Sequence, residues 1–306
     1  MGRIVDNRGL NAKSRGYVGM SDGKPILIVG LGYVGHALAR VLEDLGADWV
    51  GLRRQPEGNP RVWPVDLDQE PFSLDGIDTR RIVYLAPPPK AGDGDPRLRR
   101  LLQALEARPP ERFIYASTTG VYGNQQGAVV DENAPLRAAT ARALRRLDAE
   151  QALVEAAERW GSAWSVLRLP GIYGPGRLRE EQIRAGLQVP CPDICPPGNR
   201  IHRDDIVDVI LRLLEDGAPT GFFNLADEEH MSSTDFAREV AKRIGVEMPP
   251  CIPDLDAYYA AHPGMASFLR EERWIDSTRI RQALQWRPRY DDAISGIEAS
   301  LRSHGV

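Results

Sequence analysis

From Pro25 onward the chain alternates short apolar runs with amphipathic stretches. Ile26–Val29 is a continuous apolar run of strand length, followed by a glycine turn. A helical pattern then passes through Ala37, Leu38, Val41 and Leu42. Trp49–Leu52 and Val62–Val65 read as the second and third strands. Ile82–Ala86 reads as the fourth, stopped by Pro87, Pro88 and Pro89. Leu98, Leu101, Leu102 and Leu105 mark one helix, Phe113–Ala116 a fifth strand, Ala139–Trp160 a long helix and Trp164–Leu169 a sixth strand. Strands with few polar positions, separated by helices, predict a parallel sheet covered on both faces. The expected class is therefore α/β, with a doubly wound parallel sheet over residues 25–176.

After Gly176 the pattern loosens. Four prolines crowd the stretch Pro190–Pro197, which reads as a loop or lid. Helices are expected over Asp205–Leu214, from Ser232 with Asp235 as a capping-box analogue, over Asp276–Leu284 and over Asp291–Leu301. Phe222–Leu225 is a strand candidate. These pieces suggest a smaller C-terminal α+β lobe over 177–306, with parts interleaved, that would bind substrate. Residues 1–24 carry five basic against two acidic residues and no apolar period. They read as a disordered tail, or as a mis-assigned start with Met20 as the alternative, and they lack the apolar core of a signal peptide.

Composition narrows the class. With 306 residues, 42% hydrophobic and 27% charged, the chain is globular. No apolar run approaches the roughly 18 residues of a membrane span, and a net charge of −4 argues against a general nucleic-acid partner. Cys191, Cys195 and Cys251 are odd in number and show no zinc-like spacing. They are expected to be reduced thiols in a cytosolic protein, with no metal site.

Gly30, Gly32 and Gly35 form G-x-G-x-x-G around Leu31, Tyr33 and Val34, between the first strand and a helix. In that setting the motif is a dinucleotide fingerprint of the Rossmann type. The first glycine turns the chain, the second admits a pyrophosphate and the third lets helix pack on strand. At the end of the second strand, where an NAD enzyme places an acid for the ribose 2′-hydroxyl, stand Arg53 and Arg54. Paired guanidiniums suit a 2′-phosphate, so the expected cofactor is NADP(H) rather than NAD(H). Asp66 and Leu67, after the third strand, are positioned for the adenine.

Several phrases then fall in order: Gly30–Gly35, Asp66-Leu67, Tyr84-Leu85-Ala86, S-T-T-G-V-Y-G over 117–123, R-L-P-G-I-Y-G-P-G over 168–176, H-R-D-D over 202–205, Phe223-Asn224-Leu225 and L-Q-W-R-P over 284–288. Together they resemble the NAD-dependent epimerase/dehydratase family, the extended and atypical branches of the short-chain dehydrogenase/reductase superfamily, over about residues 25–300. Val29 replaces the first glycine of the extended branch, which points to an atypical subgroup.

The resemblance implies cofactor contacts at Leu85, Ala86, Pro87, Pro170, Gly171 and Ile172. It implies chemistry by a Ser/Thr, a Tyr and a Lys. Thr118 matches the hydroxyl position. The Y-x-x-x-K does not match: its positions hold Arg142 and Arg146, four apart and on one helix face. Arg146 could still hold a ribose, but a guanidinium at 142 cannot be a general base. Thr119 and Gly120 stand where dehydratases carry an acidic pair, so dehydration by that route is not expected. Tyr122 is the leading replacement acid. Tyr173, Asp131, Glu132 and His202 are weaker candidates with structural roles in the family.

Two functions remain open at this point. One is an NADP(H)-dependent oxidoreductase or epimerase acting on a small molecule at a hydroxyl or carbonyl carbon. The other is an NADP(H)-binding sensor that has lost turnover. The chain is expected to be a monomer or homodimer.

Overall fold

The computed structural model describes residues 25–303 apart from 56–57, 70–72, 79 and the side chain of Ser267. The segment 1–24 lies outside the described residues. Strand β1 (Ile26–Val29) is buried throughout and leads to helix α1 (Tyr33–Leu45), which ends at Gly46 in the left-handed conformation (φ 70°). Strands β2 (Trp49–Arg53), β3 (Val62–Pro64) and β4 (Arg81–Tyr84) follow. Asp95 caps α2 (Pro96–Leu105) by accepting the Leu98 N–H at 3.1 Å, and Pro96 sits where a missing N–H costs nothing. Strand β5 (Arg112–Thr118) runs into one 3-10 turn, Thr119–Tyr122. After β6 (Val129–Val130), Thr140 caps α3 (Ala141–Trp160).

Strands β7 (Ala163–Leu169) and β8 (Gly171–Tyr173), helix α4 (Glu180–Arg184) and strands β9 (Val189–Pro190) and β10 (Arg200–His202) come next. Helix α5 (Arg203–Leu213) and strand β11 (Gly221–Asn224) return to the sheet. The rest comprises α6 (Ser233–Ile244), β12 (Cys251–Ile252), α7 (Leu255–Ala261), α8 (Pro263–Leu269), β13 (Trp274–Ile275), α9 (Thr278–Ala283) and α10 (Ala293–Arg302). Ser232 caps α6 as expected: its hydroxyl accepts the Asp235 N–H (3.0 Å) and donates to the Asp235 carboxylate (2.7 Å).

Seven strands form one parallel sheet in the order β3-β2-β1-β4-β5-β7-β11. Alternate residues of β1 enter different cores. Ile26 and Ile28 pack with Leu38, Leu42, Ile206 and Ile210 of α1 and α5, whereas Leu27 and Val29 pack with Leu98, Leu101, Leu153 and Ala156 of α2 and α3. This two-sided burial explains why β1 reads as a solid apolar run. The pieces after Gly176 contribute strands of their own. β11 joins the main sheet beside β7, and β8–β10, β9–β12 and β6–β13 pair as short parallel ladders.

The thiol expectation is also corrected. Cys191 and Cys251 form a disulfide, and only Cys195, buried beside Ser233, is free. The cause is the β9–β12 ladder, which draws two cysteines 60 positions apart to a Cα separation of 4.8 Å. The cytosolic expectation loses the ground it stood on. Among the described residues no helix is long and apolar enough to cross a membrane.

Candidate functional site

All seven strands point the same way, so their carboxyl ends share one edge. The strand order reverses between β1 and β4, which opens a crevice there. Gly30 turns into it at φ 98°, and a Cβ at Gly30 would lie 2.6 Å from the Ala86 nitrogen. A Cβ at Gly35 would lie 2.6 Å from the Gly30 carbonyl oxygen. Both glycines are thus required by close backbone approach. Gly32 differs, since nothing lies within 4 Å of where its Cβ would be. It precedes α1 without a side-chain cap, and the first turn carries no acid. Open space before uncapped N–H groups fits a pyrophosphate. Tyr33 fastens this corner: its hydroxyl donates to the Pro175 carbonyl (2.9 Å), with the guanidiniums of Arg177 and Arg203 over its ring at 4.0 and 5.0 Å. Val34 is buried beneath the turn.

On the side of β2, Arg53 lines a cavity of about 270 Å³ together with Leu31, His36, Arg40 and Glu43. Arg54 is exposed and does not line it; its charge helps hold the Asp68 carboxyl low. Of the two arginines only Arg53 lines this cavity. Arg40 is the additional cation, four residues after His36 and so on the same face of α1. Asp66 accepts the Asp68 N–H at 3.0 Å, and the carbonyl of buried Leu67 accepts from Arg100 at 2.9 Å. Arg97 pairs with Asp68, lowering its pKa chiefly by that hydrogen bond, and donates to the Pro87 carbonyl at 2.9 Å. This ties the Asp66–Asp68 turn to the end of β4. There the Leu85 N–H donates to the Val29 carbonyl (2.8 Å) and Ala86 is buried.

On the far side, Thr118 ends β5, and its Oγ1 accepts the Gly120 N–H at 3.2 Å. Arg146 donates to the Ala116 carbonyl (2.8 Å) and to the Tyr115 hydroxyl (3.0 Å), so it lies against the strand that carries Thr118. Arg142, one turn earlier, stacks on Phe268 of α8 at 4.1 Å. Pro170 and Gly171 leave β7, and Ile172 pairs with Ile201. Phe268 is a contact the sequence gave no means of finding.

Tyr122 must be corrected as a replacement acid. Its ring is fully buried. Its hydroxyl donates to Asn224 Oδ1 (2.7 Å) and accepts from Arg168 Nη1 (2.9 Å), and burial raises its pKa. Arg168 in turn pairs with Glu150 at 2.8 Å, and Ser117 hydrogen-bonds the same carboxylate. These groups brace β5, β7, β11 and α3 behind the crevice. His202 is likewise structural. Its Nδ1 accepts the Asp204 N–H at 3.1 Å, its Nε2 meets Ser300 Oγ at 3.2 Å, and burial lowers its pKa to about 4. Tyr173 is buried against His202 and Phe236. Glu132 accepts the Asn224 N–H at 2.7 Å, and Asp131 caps a turn through Asn133.

The sequence model of the NAD dependent epimerase/dehydratase family matches residues 98–226, from α2 to just past β11. Over that stretch the chain is similar to members of that family. It is 29% identical over 297 residues to Protein YeeZ of Escherichia coli (strain K12), a match covering 89% of this chain and 98% of YeeZ. A functionally unknown conserved protein from Silicibacter pomeroyi DSS has a solved structure that superposes with a TM-score of 0.80 at 29% identity, covering 92% of this chain and all of that one. MoeE5, solved in complex with UDP-glucose and NAD, superposes with a TM-score of 0.70 at 20% identity over 91% of this chain and 99% of its own. At that identity MoeE5 speaks for the fold alone.

Proposed function

We propose that this chain is an NADP(H)-dependent oxidoreductase or epimerase acting at a hydroxyl or carbonyl carbon of a sugar-nucleotide-like or small carbonyl substrate. The observation that carries the reading is what the crevice holds. An uncapped α1 N-terminus and Arg53 stand on one side of the strand reversal, and Thr118 and Arg146 on the other. The N–H groups around Gly32 would hold the pyrophosphate, Arg53 with Arg40 the 2′-phosphate, Asp66 the adenine amine and Arg146 the nicotinamide-side ribose. When bound, the nicotinamide supplies or takes up hydride at the reacting carbon. MoeE5, solved with UDP-glucose and NAD, shares the fold that would carry such a site.

Thr118 is prepared for one task. Its oxygen already accepts the Gly120 N–H, so its single O–H is left to donate to the reacting oxygen. Arg142 keeps its proton and can only attract negative charge. With no base at position 142, the proton would have to be exchanged with solvent, to which Arg142 is exposed.

Titration of NADPH and NADH into wild-type protein and the Arg40→Ala/Arg53→Ala variant tests the cofactor assignment. Loss of one charge-assisted hydrogen bond costs about 1.5–3 kcal/mol, so NADPH should weaken at least about tenfold while NADH is spared. Equal weakening of both refutes it. Arginines in place of Tyr and Lys favour a second reading, a sensor without turnover. Tight NADPH binding with no NADPH consumption across a broad carbonyl panel would select that reading.

A further inference from the structure

Arg142 occupies the place where the family's tyrosine would meet the substrate, and its surroundings are unusual for an arginine. Among the described residues no carboxylate lies within 4.0 Å of its guanidinium. Glu271 is the acid whose charge acts on it most, but Glu271 is already engaged by Arg273 at 2.9 Å, and Arg273 also donates to the Gly123 carbonyl at 2.8 Å. Arg146, on the same face of α3, is bonded to a carbonyl and a phenol, neither of which carries charge. The first turn of α3 supplies no acid. Burial lowers the Arg142 pKa, and the charges of Arg146 and Arg273 act in the same direction.

The stack on Phe268 determines what Arg142 can still do. A guanidinium lying over an aromatic ring at 4.1 Å uses its face for that contact and keeps its in-plane fork of N–H donors. Such a fork matches a carboxylate in two parallel hydrogen bonds. Arg142 adjoins Ala143, which packs on the turn that follows Thr118. A Cβ at Gly120 would sit 3.5 Å from Thr118 Oγ1 and 3.6 Å from the Cβ of Ala143, so α3 begins against the turn that positions Thr118.

We propose that Arg142, backed by Phe268, is a substrate-anchoring residue that selects a carboxylate on the substrate close to the reacting carbon, as in an oxo acid, a hydroxy acid or a uronate. This rests on the reading of Thr118 as the partner of the reacting oxygen and deepens it. The acid group would add a second anion to a corner where the guanidiniums of Arg142, Arg146 and Arg273 face the carboxylate of Glu271. A pyrophosphate farther along a sugar nucleotide would not do so, because it is remote from the reacting sugar carbon.

Malonate serves as the probe, with malonamide as its uncharged counterpart and sodium chloride at matched ionic strength as control. Thermal unfolding of the NADPH-loaded protein should rise saturably with malonate and not with malonamide. Arg142→Met, which retains an apolar side chain to cover Phe268, should weaken the malonate effect at least about tenfold while NADPH affinity is retained; Arg142→Lys should recover only part of it. No malonate response in the wild type, an equal response to malonamide, or an unchanged response in Arg142→Met would each overturn the proposal. Failure of NADPH to bind would instead count against the cofactor reading, and malonate titration of the cofactor-free protein would still report on Arg142.

Discussion

Replacement of Arg168 by Met is the sharpest probe of what keeps the crevice in shape. Arg168 and Glu150 are each only 2% exposed in their side chains. The guanidinium gives Glu150 bonds of 2.8, 3.2 and 3.3 Å and gives the Tyr122 hydroxyl one of 2.9 Å. Taking it away leaves Glu150 with Ser117 as its remaining hydrogen-bond partner. Two unit charges about 4 Å apart attract by roughly 4 kcal/mol at an effective dielectric near 20. Removing one partner of a buried pair typically costs about 3–5 kcal/mol, because the other charge is stranded. Urea unfolding followed by tryptophan fluorescence should therefore show Arg168→Met less stable by about 3–5 kcal/mol. In a chain of this size that lowers Tm by roughly 5–8 °C. The double variant Glu150→Met/Arg168→Met removes both charges and should regain most of the loss. A single-variant loss below about 1 kcal/mol, or a double variant worse than the single, would refute the reasoning.

Tyr122→Phe should lower stability by about 1 kcal/mol, since it strands the Asn224 oxygen, yet leave NADPH binding and any turnover within about twofold; a loss of turnover of about a hundredfold or more would restore Tyr122 as the acid. Asp227 is buried with both carboxylate oxygens lacking a partner among the described residues, and desolvation pushes its pKa up to about 8. A raised carboxyl pKa favours the folded state fully below the ordinary value near 3.8, and that benefit is lost as pH rises through about 8. Stability measured by urea unfolding should therefore fall from about pH 5 to pH 8 more steeply in the wild type than in Asp227→Asn; parallel pH profiles would show that Asp227 ionises freely.

Much of the cofactor side was legible because local chemistry dictates it. Gly30 and Gly35 are glycines for reasons internal to one turn, and β1 is apolar throughout because both its faces are covered. The cap at Ser232 was legible for the same reason, as donor and acceptor lie three residues apart. What escaped notice was set by distant pairing. The disulfide depends on the β9–β12 ladder, which no spacing of cysteines announces. Arg53 ends β2 and lines the cavity, whereas Arg54 stands beyond the strand and exposed, a difference that two adjacent letters do not show. Phe268 reaches Arg142 only because α8 is folded back over α3. Tyr122 was misjudged because nearness to Thr118 along the chain does not reveal which way a ring points.

The return of α5 and β11 to the sheet has a practical outcome for anyone dissecting this molecule. A fragment ending at residue 176 would expose the hydrogen-bonding edge of β7 where Gly221–Asn224 now pairs with Ser165–Arg168, and it would uncover the α1 face that α5 shields. Such a raw edge invites strand addition between copies, so the excised half should precipitate rather than fold. A nucleotide-binding fragment suitable for study must splice residues 203–225 back on, bridging over the lobe they currently straddle.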